Sequence, residues 1–336
     1  MKKLILYIIT LISICFILPA IFTNTKSNKS IETDAKSENN TNSETEKENT
    51  NHKYSKIKLL HLKTGEVEEV NLEEYLCNVV SAEMPVDFEI EALKAQAIVA
   101  RTYTIYKINN KKHDNADICD SSSCCQAWIS KDDRLSRWEE NKREENWKKI
   151  ERAVNETNGK IITYEGKPIN AFFHSNSGGT TEVPINVWGG SGYPYLQMVE
   201  TSGEEGYTQY ASEVTLNFDE ILNKIKEKYS DIQIDFTKDD DIKILERTES
   251  DRVKTIKFGN HNLSGVEART IFGLRSTNFE IEKQEDKITF KVKGYGHGVG
   301  MSQTGADSLA KQGKNAEDII HHFYSNVELK DISQIN

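Results

Sequence analysis

The sequence lacks an excess of positive charge. Its 336 residues include 43 lysines and arginines against 53 aspartates and glutamates, which gives a formal net charge of −10. Proteins that bind nucleic acids normally carry a basic surface, so this balance argues against that class. Hydrophobic residues are also few, at 37%. Part of this deficit is local to one polar segment, and the rest of the chain is long enough to bury a sizeable core.

The motifs of a serine hydrolase are also lacking. No G-x-S-x-G sequence is present, although this motif marks the nucleophile of α/β-hydrolases. Ser308–Lys311 matches the S-x-x-K pattern and Lys63–Gly65 the K-T-G pattern of penicillin-interacting enzymes. However, their order along the chain is reversed, and Lys63–Gly65 falls in a simple hairpin turn. A serine hydrolase is therefore disfavoured.

An apolar run from Leu4 to Phe22 follows the basic start of the chain. A helix of this length spans roughly 28 Å, close to the hydrocarbon thickness of a bilayer. A cleaved signal peptide is the alternative, but the run is long for one and no clear A-x-A site follows it. We predict a transmembrane anchor at 4–22. Because the lysines precede the run, residues 1–3 would form a cytoplasmic stub and the rest would lie outside.

The segment at residues 23–55 consists mostly of Asn, Ser, Thr, Glu and Lys. It offers too little apolar surface to offset the entropy lost on ordering, so we predict a disordered linker. A single-pass protein of the cell membrane, with a tethered extracytoplasmic catalytic or binding region at 56–330, is the predicted organisation.

Helix and strand patterns alternate in the tethered region, which predicts an α+β fold. Leu72, Tyr75 and Leu76 begin an apolar stripe at helical spacing, with Asn71 as N-cap. A longer alanine-rich helix follows, capped by Asp87, and then a polar, irregular insertion at 109–145. Further predictions are a helix at 147–157, a hairpin at 160–174, strands near 241–257 and 287–293, and helices at 303–312 and 316–324.

Glu83 is the next position on the apolar stripe of the first predicted helix, and Pro85 stops that helix. Burial disfavours the charged form of a carboxyl group and raises its pKa, towards the value that a general acid needs. The alternative is an ordinary glutamate that frays into solvent. Glu83 is the first candidate catalytic residue.

Two glycine-rich segments are candidate ligand loops, namely Ser175–Thr181 and Gly294–Gln303. Glycines that alternate with Tyr295 and His297 would weaken a strand, but they suit a loop that comes close to a ligand. A tight structural turn, with His297 bonded only to backbone, is the alternative.

His113, Cys119, Cys124 and Cys125 lie close together within the polar insertion. Three thiols and an imidazole suit a tetrahedral zinc site. A disulfide is the rival interpretation, because the region is predicted to lie outside the cytoplasm. We favour zinc in a structural role. Since adjacent cysteines cannot easily both face one metal, the choice between Cys124 and Cys125 stays open.

Several segments taken together resemble the stage II sporulation protein D family, its clostridial members in particular. They are Ser81–Pro85, Glu91–Tyr103, Phe173–Glu182 followed by Trp188, and Gly294–Gln303. These segments occur in the family's order and extend across residues 57–330.

The resemblance implies a lytic transglycosylase that cleaves the glycan strands of peptidoglycan during engulfment of the forespore. It implies action with stage II sporulation proteins P and M, of which P first strips the stem peptides. Glu83 falls on the family's catalytic glutamate, and Lys94 and Arg101 on positions linked to activity. Lys94 and Arg101 could bind the lactyl carboxylates of stripped strands, and we assign Tyr295, His297 and Gln303 to the same cleft.

The resemblance also implies a zinc ion near the cleft. His113, Cys119 and Cys125 match the arrangement in clostridial members, and Cys124 stands where a second histidine is expected. Two further interpretations stay open: a glycan-binding or scaffolding module with little turnover, and a zinc hydrolase that uses the Cys/His cluster.

Overall fold

The computed structural model describes residues 53–335. The predicted membrane helix at 4–22 and the predicted linker, apart from residues 53–55, lie outside the described residues. Within 53–335, no helix combines the length and the apolar character needed to span a bilayer. Helices and several small sheets alternate along this part of the chain, as predicted for an α+β fold.

The helices are short except for one at the centre of the structure. In chain order they are α1 (Leu72–Glu83), α2 (Ile90–Asn109), α3 (Lys131–Ser136), α4 (Arg143–Asn155), α5 (Pro184–Trp188), α6 (Phe218–Lys226), α7 (Gly265–Phe272), α8 (Gln303–Lys311) and α9 (Ala316–Phe323). The strands are β1 (Lys56–Leu60), β2 (Val67–Asn71), β3 (Ile118–Cys119), β4 (Lys160–Tyr164), β5 (Lys167–Pro168), β6 (Phe173–His174), β7 (Ala211–Asn217), β8 (Ile242–Arg247), β9 (Val253–Phe258), β10 (His261–Ser264), β11 (Asn278–Lys283), β12 (Lys287–Lys293), β13 (Met301–Ser302) and β14 (Glu328–Asp331).

The first helix begins and ends as the sequence predicts. The side chain of Asn71 accepts hydrogen bonds from the amides of Glu73 and Glu74, which satisfies backbone donors that the first turn leaves free. The apolar stripe packs inward, and α1 ends at Glu83, just before Pro85.

The central helix α2 packs against α1, α4, α8 and α9. Its alanines are fully buried, because small side chains allow the neighbouring helices to come close. The N-cap is Glu89 rather than the predicted Asp87. The Glu89 amide donates a 2.6 Å hydrogen bond to the Asp307 carboxylate on α8, so a contact remote in sequence fixes where this helix begins.

Short strands correct two local predictions. Within the insertion at 109–145, β3 pairs in parallel with β1, so part of this segment is fastened to a sheet. The predicted hairpin at 160–174 is confirmed only for β4 and β5. Phe173–His174 instead forms β6, which pairs in parallel with β13.

The described residues form two hydrophobic cores. The first surrounds α2, and the second contains residues between Ile221 and Val292, under the sheets β10-β9-β8 and β11-β12-β7. Arg252, in the second core's β8–β9 turn, donates to the backbone carbonyls of Ser177 and Thr180 at 2.7 and 3.0 Å. Its guanidinium lies so close to Gly298 that a Cβ there would be 2.6 Å away. The loop at 294–300 is therefore held between the two cores.

Candidate active site

A cleft of about 810 Å³ opens where the first core meets the loop at 294–300. Its walls come from the end of α1, the C-terminal half of α2, the loop at 122–125, β6, α5, α7 and the start of α8. Six of the predicted site residues line it: Glu83, Cys124, Cys125, Tyr295, His297 and Gln303.

Glu83 brings a partly buried carboxyl group into the cleft lining. The amide of Ala127 donates a 2.5 Å hydrogen bond to its Oε1, and the side chain of Gln303 provides another. Burial raises the pKa of Glu83 to about 7, although both hydrogen bonds oppose the rise. A substantial fraction is therefore neutral at neutral pH, as a general acid requires. Among the lining residues, all within 53–335, Glu83 is the sole carboxylate.

The Ala127 amide is held in position by its neighbour, Gln126. That side chain is fully buried, and its Nε2 donates to the Tyr75 hydroxyl at 2.8 Å and to the Thr104 hydroxyl at 3.0 Å. Tyr75 lies on α1 and Thr104 on α2. The loop that follows the cysteines is therefore held by buried hydrogen bonds to α1 and α2, two of the helices that border the cleft.

The four predicted metal ligands converge. One donor atom from each of His113, Cys119, Cys124 and Cys125 lies within 4.8 Å of the others. Nε2 of His113 is 3.5 Å from Sγ of Cys124 and 3.7 Å from Sγ of Cys125, and the two sulfurs are 3.9 Å apart. Tetrahedral zinc with Zn–S bonds of about 2.3 Å separates its sulfur ligands by about 3.8 Å. The donor set therefore fits zinc.

Both adjacent cysteines face this common point, which differs from the expectation that they could not. The amides of Cys124 and Cys125 both donate to the Ser121 carbonyl, at 3.1 and 2.7 Å, and this tight turn directs the two thiols to the same side. The described cysteines are all free. A disulfide requires about 2.05 Å between sulfurs, so this geometry favours a metal site over the rival interpretation.

The buried His174 and the partly buried His297 stand side by side in the cleft wall, with ring centroids 5.7 Å apart. Nδ1 of His174 donates to the Val299 carbonyl, and the Val299 amide donates to Nδ1 of His297, both at 3.1 Å. Burial lowers the pKa of His174 to about 3 and that of His297 well below its usual range. Both rings are therefore neutral at neutral pH and act through hydrogen bonds and packing.

Exposed aromatic rings flank the histidines. Trp188 is 50% exposed and Tyr295 is 44% exposed. The Trp188 ring centroid lies 4.6 Å from that of Phe172 and 5.1 Å from that of His297. These rings offer apolar faces to a ligand with both polar and apolar surfaces.

The structure places Lys94 and Arg101, the predicted substrate-binding residues, outside the lining of the cleft. Lys94 Nζ pairs with Glu91 at 2.8 Å and with Glu156 at 2.6 Å. Arg101 is fully buried, and its guanidinium pairs with Glu73 at 2.5 Å and donates to two backbone carbonyls. Arg101 therefore stabilises the first core and has no open path to a ligand.

The cleft contains two cations that the sequence reasoning missed, Lys107 and Arg269. Lys107 lies one turn after Tyr103, which also lines the cleft, on the same face of α2, but no sequence pattern singles out this face. Arg269 belongs to α7 of the second core. No local pattern connects it to the other site residues.

Comparison with known proteins finds two family models along the chain. The family model described as "Stage II sporulation protein" matches residues 61–164, and a domain of unknown function matches residues 195–300. The first match contains Glu83 and the four candidate metal ligands, and the second contains Arg269, Tyr295 and His297.

Three named proteins align with most of the chain. Stage II sporulation protein D of Bacillus amyloliquefaciens is 37% identical over 269 residues, which cover 79% of this chain and 76% of the relative. Stage II sporulation protein D of Bacillus subtilis is 35% identical over 268 residues, with the same coverage of 79% and 76%. The amidase enhancer of Bacillus subtilis is 29% identical over 303 residues, covering 76% of this chain but 40% of the relative. The resemblance seen in the motifs is confirmed, and the chain belongs to the stage II sporulation protein D family.

Proposed function

We propose that the protein is a lytic transglycosylase that cleaves the glycan strands of peptidoglycan during engulfment of the forespore. The observation that carries the proposal is Glu83, a single carboxyl group in a cleft, with its pKa raised to about 7 by burial. Membership of a family named for stage II of sporulation supports the cellular setting.

One carboxyl group can perform both proton transfers of this reaction. Neutral Glu83 protonates the glycosidic oxygen, and the bond from that oxygen to C1 of the muramoyl sugar breaks. The Glu83 carboxylate then takes the proton of the C6 hydroxyl as its oxygen bonds to C1, which closes a 1,6-anhydro ring. Glu83 ends neutral, as it began, and no water is consumed.

The carboxyl count favours this route over hydrolysis. Glycoside hydrolases generally use two carboxyl groups, about 5 to 9.5 Å apart. The lining of the described cleft offers Glu83 alone. Asp87 and Glu89, which are near Glu83 in sequence, do not line the cleft.

Charge in the cleft favours strands from which the stem peptides have been removed. Each muramoyl unit of such a strand carries a free lactyl carboxylate. Lys107 and Arg269 are the cations available to bind it, by hydrogen bonds that charge strengthens. They take the role that the sequence reasoning gave to Lys94 and Arg101.

A zinc ion held by His113, Cys119, Cys124 and Cys125 is part of the proposal. Four protein ligands make a closed, structural centre, which would fix the loop that carries the Ala127 amide. A zinc hydrolase is disfavoured, because such a centre leaves no position for a reacting water. Proton transfer is carried by Glu83.

We also propose a single-pass protein of the cell membrane that acts with stage II sporulation proteins P and M. Protein P would remove the stem peptides before this chain cuts the strand. A relative named amidase enhancer supports cooperation with an amidase.

The test is mass spectrometry of peptide-free glycan strands after incubation with the full chain or with Glu83→Gln. Anhydro-muramoyl ends from the wild type alone would support the proposal. Glu74→Gln is the matched control, since Glu74 is an exposed carboxylate on the same helix. Reducing ends would instead indicate hydrolysis. Strands that bind without being cut would favour the alternative, a glycan-binding scaffold.

A further inference from the structure

A second cavity, of about 320 Å³, lies beside the cleft and shares Phe172 and Trp188 with its lining. The two rings are 4.6 Å apart between centroids, and Trp188 is half exposed. Trp188 also touches the cleft's His297, at 5.1 Å between ring centroids. The tryptophan therefore stands at the boundary of the two spaces, so a polymer that leaves the cleft on this side passes over it.

The two spaces differ in charge. The cleft contains Glu83, Lys107 and Arg269, whereas no charged residue lines the second cavity. The cavity is bordered by Phe172, Trp188 and Tyr193, and the Tyr193 hydroxyl accepts a 3.3 Å hydrogen bond from Nδ2 of the Asn170 side chain. Apolar rings with few, neutral polar groups suit an uncharged ligand that has one apolar face.

The loop at 189–192 keeps this cavity open. Gly189, Gly190 and Gly192 have φ angles of 73°, 78° and 73°, and a Cβ at any of them would have no atom within 4 Å. Glycine is needed there for the left-handed backbone and not because of crowding. Ser191 thus carries the loop's one side chain, and the space beside Trp188 stays unfilled.

We propose that this cavity is a second sugar subsite, which takes a neutral N-acetylglucosamine unit while an anionic muramoyl unit of the same strand lies in the cleft. The inference rests on the proposed function, since it requires a glycan strand in the cleft. Neutral and acidic sugars alternate along a peptide-free strand, and a neutral cavity next to a cationic cleft follows the same alternation. A volume near 320 Å³ is at the lower end of the roughly 300–1,000 Å³ range of small-ligand sites, which suits a single ring.

The test measures binding to the full chain carrying Glu83→Gln, so that strands are not cut. The probes are a disaccharide and an octasaccharide prepared from peptide-free glycan. We expect the octasaccharide to bind more tightly than the disaccharide. The ratio of the disaccharide Kd to the octasaccharide Kd measures the gain in affinity from the longer strand. Adding Trp188→Ala should reduce this gain about two- to tenfold, the range for loss of one aromatic contact. Ile185→Ala is the matched control, because Ile185 lies on the same helix, is 51% exposed and lines neither space.

A second variant, Ser191→Leu in the same Glu83→Gln chain, narrows the cavity without altering Trp188. It should reduce the gain in affinity from the longer strand by a similar factor. The subsite proposal would be overturned if Trp188→Ala, Ser191→Leu and Ile185→Ala all showed the same gain in affinity for the octasaccharide over the disaccharide. Failure of the proposed function would appear in the cleavage assay. The wild-type protein would then bind the octasaccharide more tightly than the disaccharide but release no anhydro-muramoyl ends. If neither probe binds, both proposals fall.

Discussion

The amide of Ala127 donates a 2.5 Å hydrogen bond to Oε1 of Glu83, from a loop whose preceding residues include Cys124 and Cys125 of the metal cluster. This bond favours the charged carboxylate, whereas burial favours the neutral acid. Burial is the larger effect, since the pKa of Glu83 is raised to about 7. The acidity of the site is therefore set by the loop as well as by the helix that carries Glu83.

The pH dependence of cleavage should follow the neutral form of Glu83. We expect kcat/KM to fall above about pH 7. In Gln126→Leu the buried anchor of the loop is lost, and the hydrogen bond from Ala127 weakens with it. That bond lowers the pKa, so its loss raises the pKa and moves the descending limb to higher pH, with a lower maximum rate. Thr104→Val removes one of the two partners of Gln126 and should give a smaller shift. A limb at the same pH in all three proteins would contradict this role.

The stability of Glu83→Gln should depend on pH differently from that of the wild type. The folded pKa of about 7 lies above the ordinary value of 4.5, so the folded state holds more protons than the unfolded state between these values. The contribution of Glu83 to wild-type stability therefore falls as pH rises from about 4.5 to about 7, by up to roughly 3 kcal/mol, whereas the opposite contributions of His174 and His297 are common to the wild type and the variants. Glu83→Gln lacks this fall, so urea denaturation should find it increasingly more stable than the wild type with rising pH. Glu74→Gln should follow the wild type at every pH.

Zinc content is predicted to depend on the four clustered ligands, so that loss of a cysteine outside the cluster leaves it unchanged. Purified full chain should contain zinc, and Cys119→Ser should lose most of it in elemental analysis and unfold at lower temperature. Cys77→Ser is the control, because Cys77 is a buried thiol outside the cluster. Equal zinc content in Cys119→Ser and Cys77→Ser would contradict the assignment of the cluster as the metal site.

Arg101 is predicted to act on stability and not on substrate affinity. Arg101→Met leaves the partly exposed Glu73 carboxylate and two backbone carbonyls without their donor, and such unsatisfied groups should cost about 1–3 kcal/mol. Lys94→Met removes a more exposed pair and should cost about 1 kcal/mol or less. Denaturation curves measure both effects. A raised KM with unchanged stability in Arg101→Met would restore the substrate contact that its motif implied.

Local rules were enough to predict that Glu83 faces a cleft and that the four candidate metal ligands converge. Asn71 and Pro85 delimit α1, and the apolar stripe between them determines which way Glu83 points. The orientation of Arg101 could not be obtained in this way. Buried residues occur on every face of α2, so its periodicity does not indicate which side chains reach a ligand.

Long-range contacts account for what the sequence analysis missed. Nothing near Phe173 indicates that β6 pairs with β13, and nothing near Arg269 indicates that a residue of the second core borders the cleft. Gln126 is similar, since its partners Tyr75 and Thr104 become neighbours only when the helices pack. These relationships depend on tertiary packing, for which a single sequence carries no local signal.

The pairing of β6 with β13 also joins segments of the chain that are synthesised at different times. Glu83 is synthesised before His297, Gln303 and the strand that aligns them. A nascent chain therefore carries its acid without the walls that desolvate it, and that carboxyl group titrates as an ordinary glutamate. On the proposed function, cleavage would therefore require that these later segments have folded against the helix that carries Glu83.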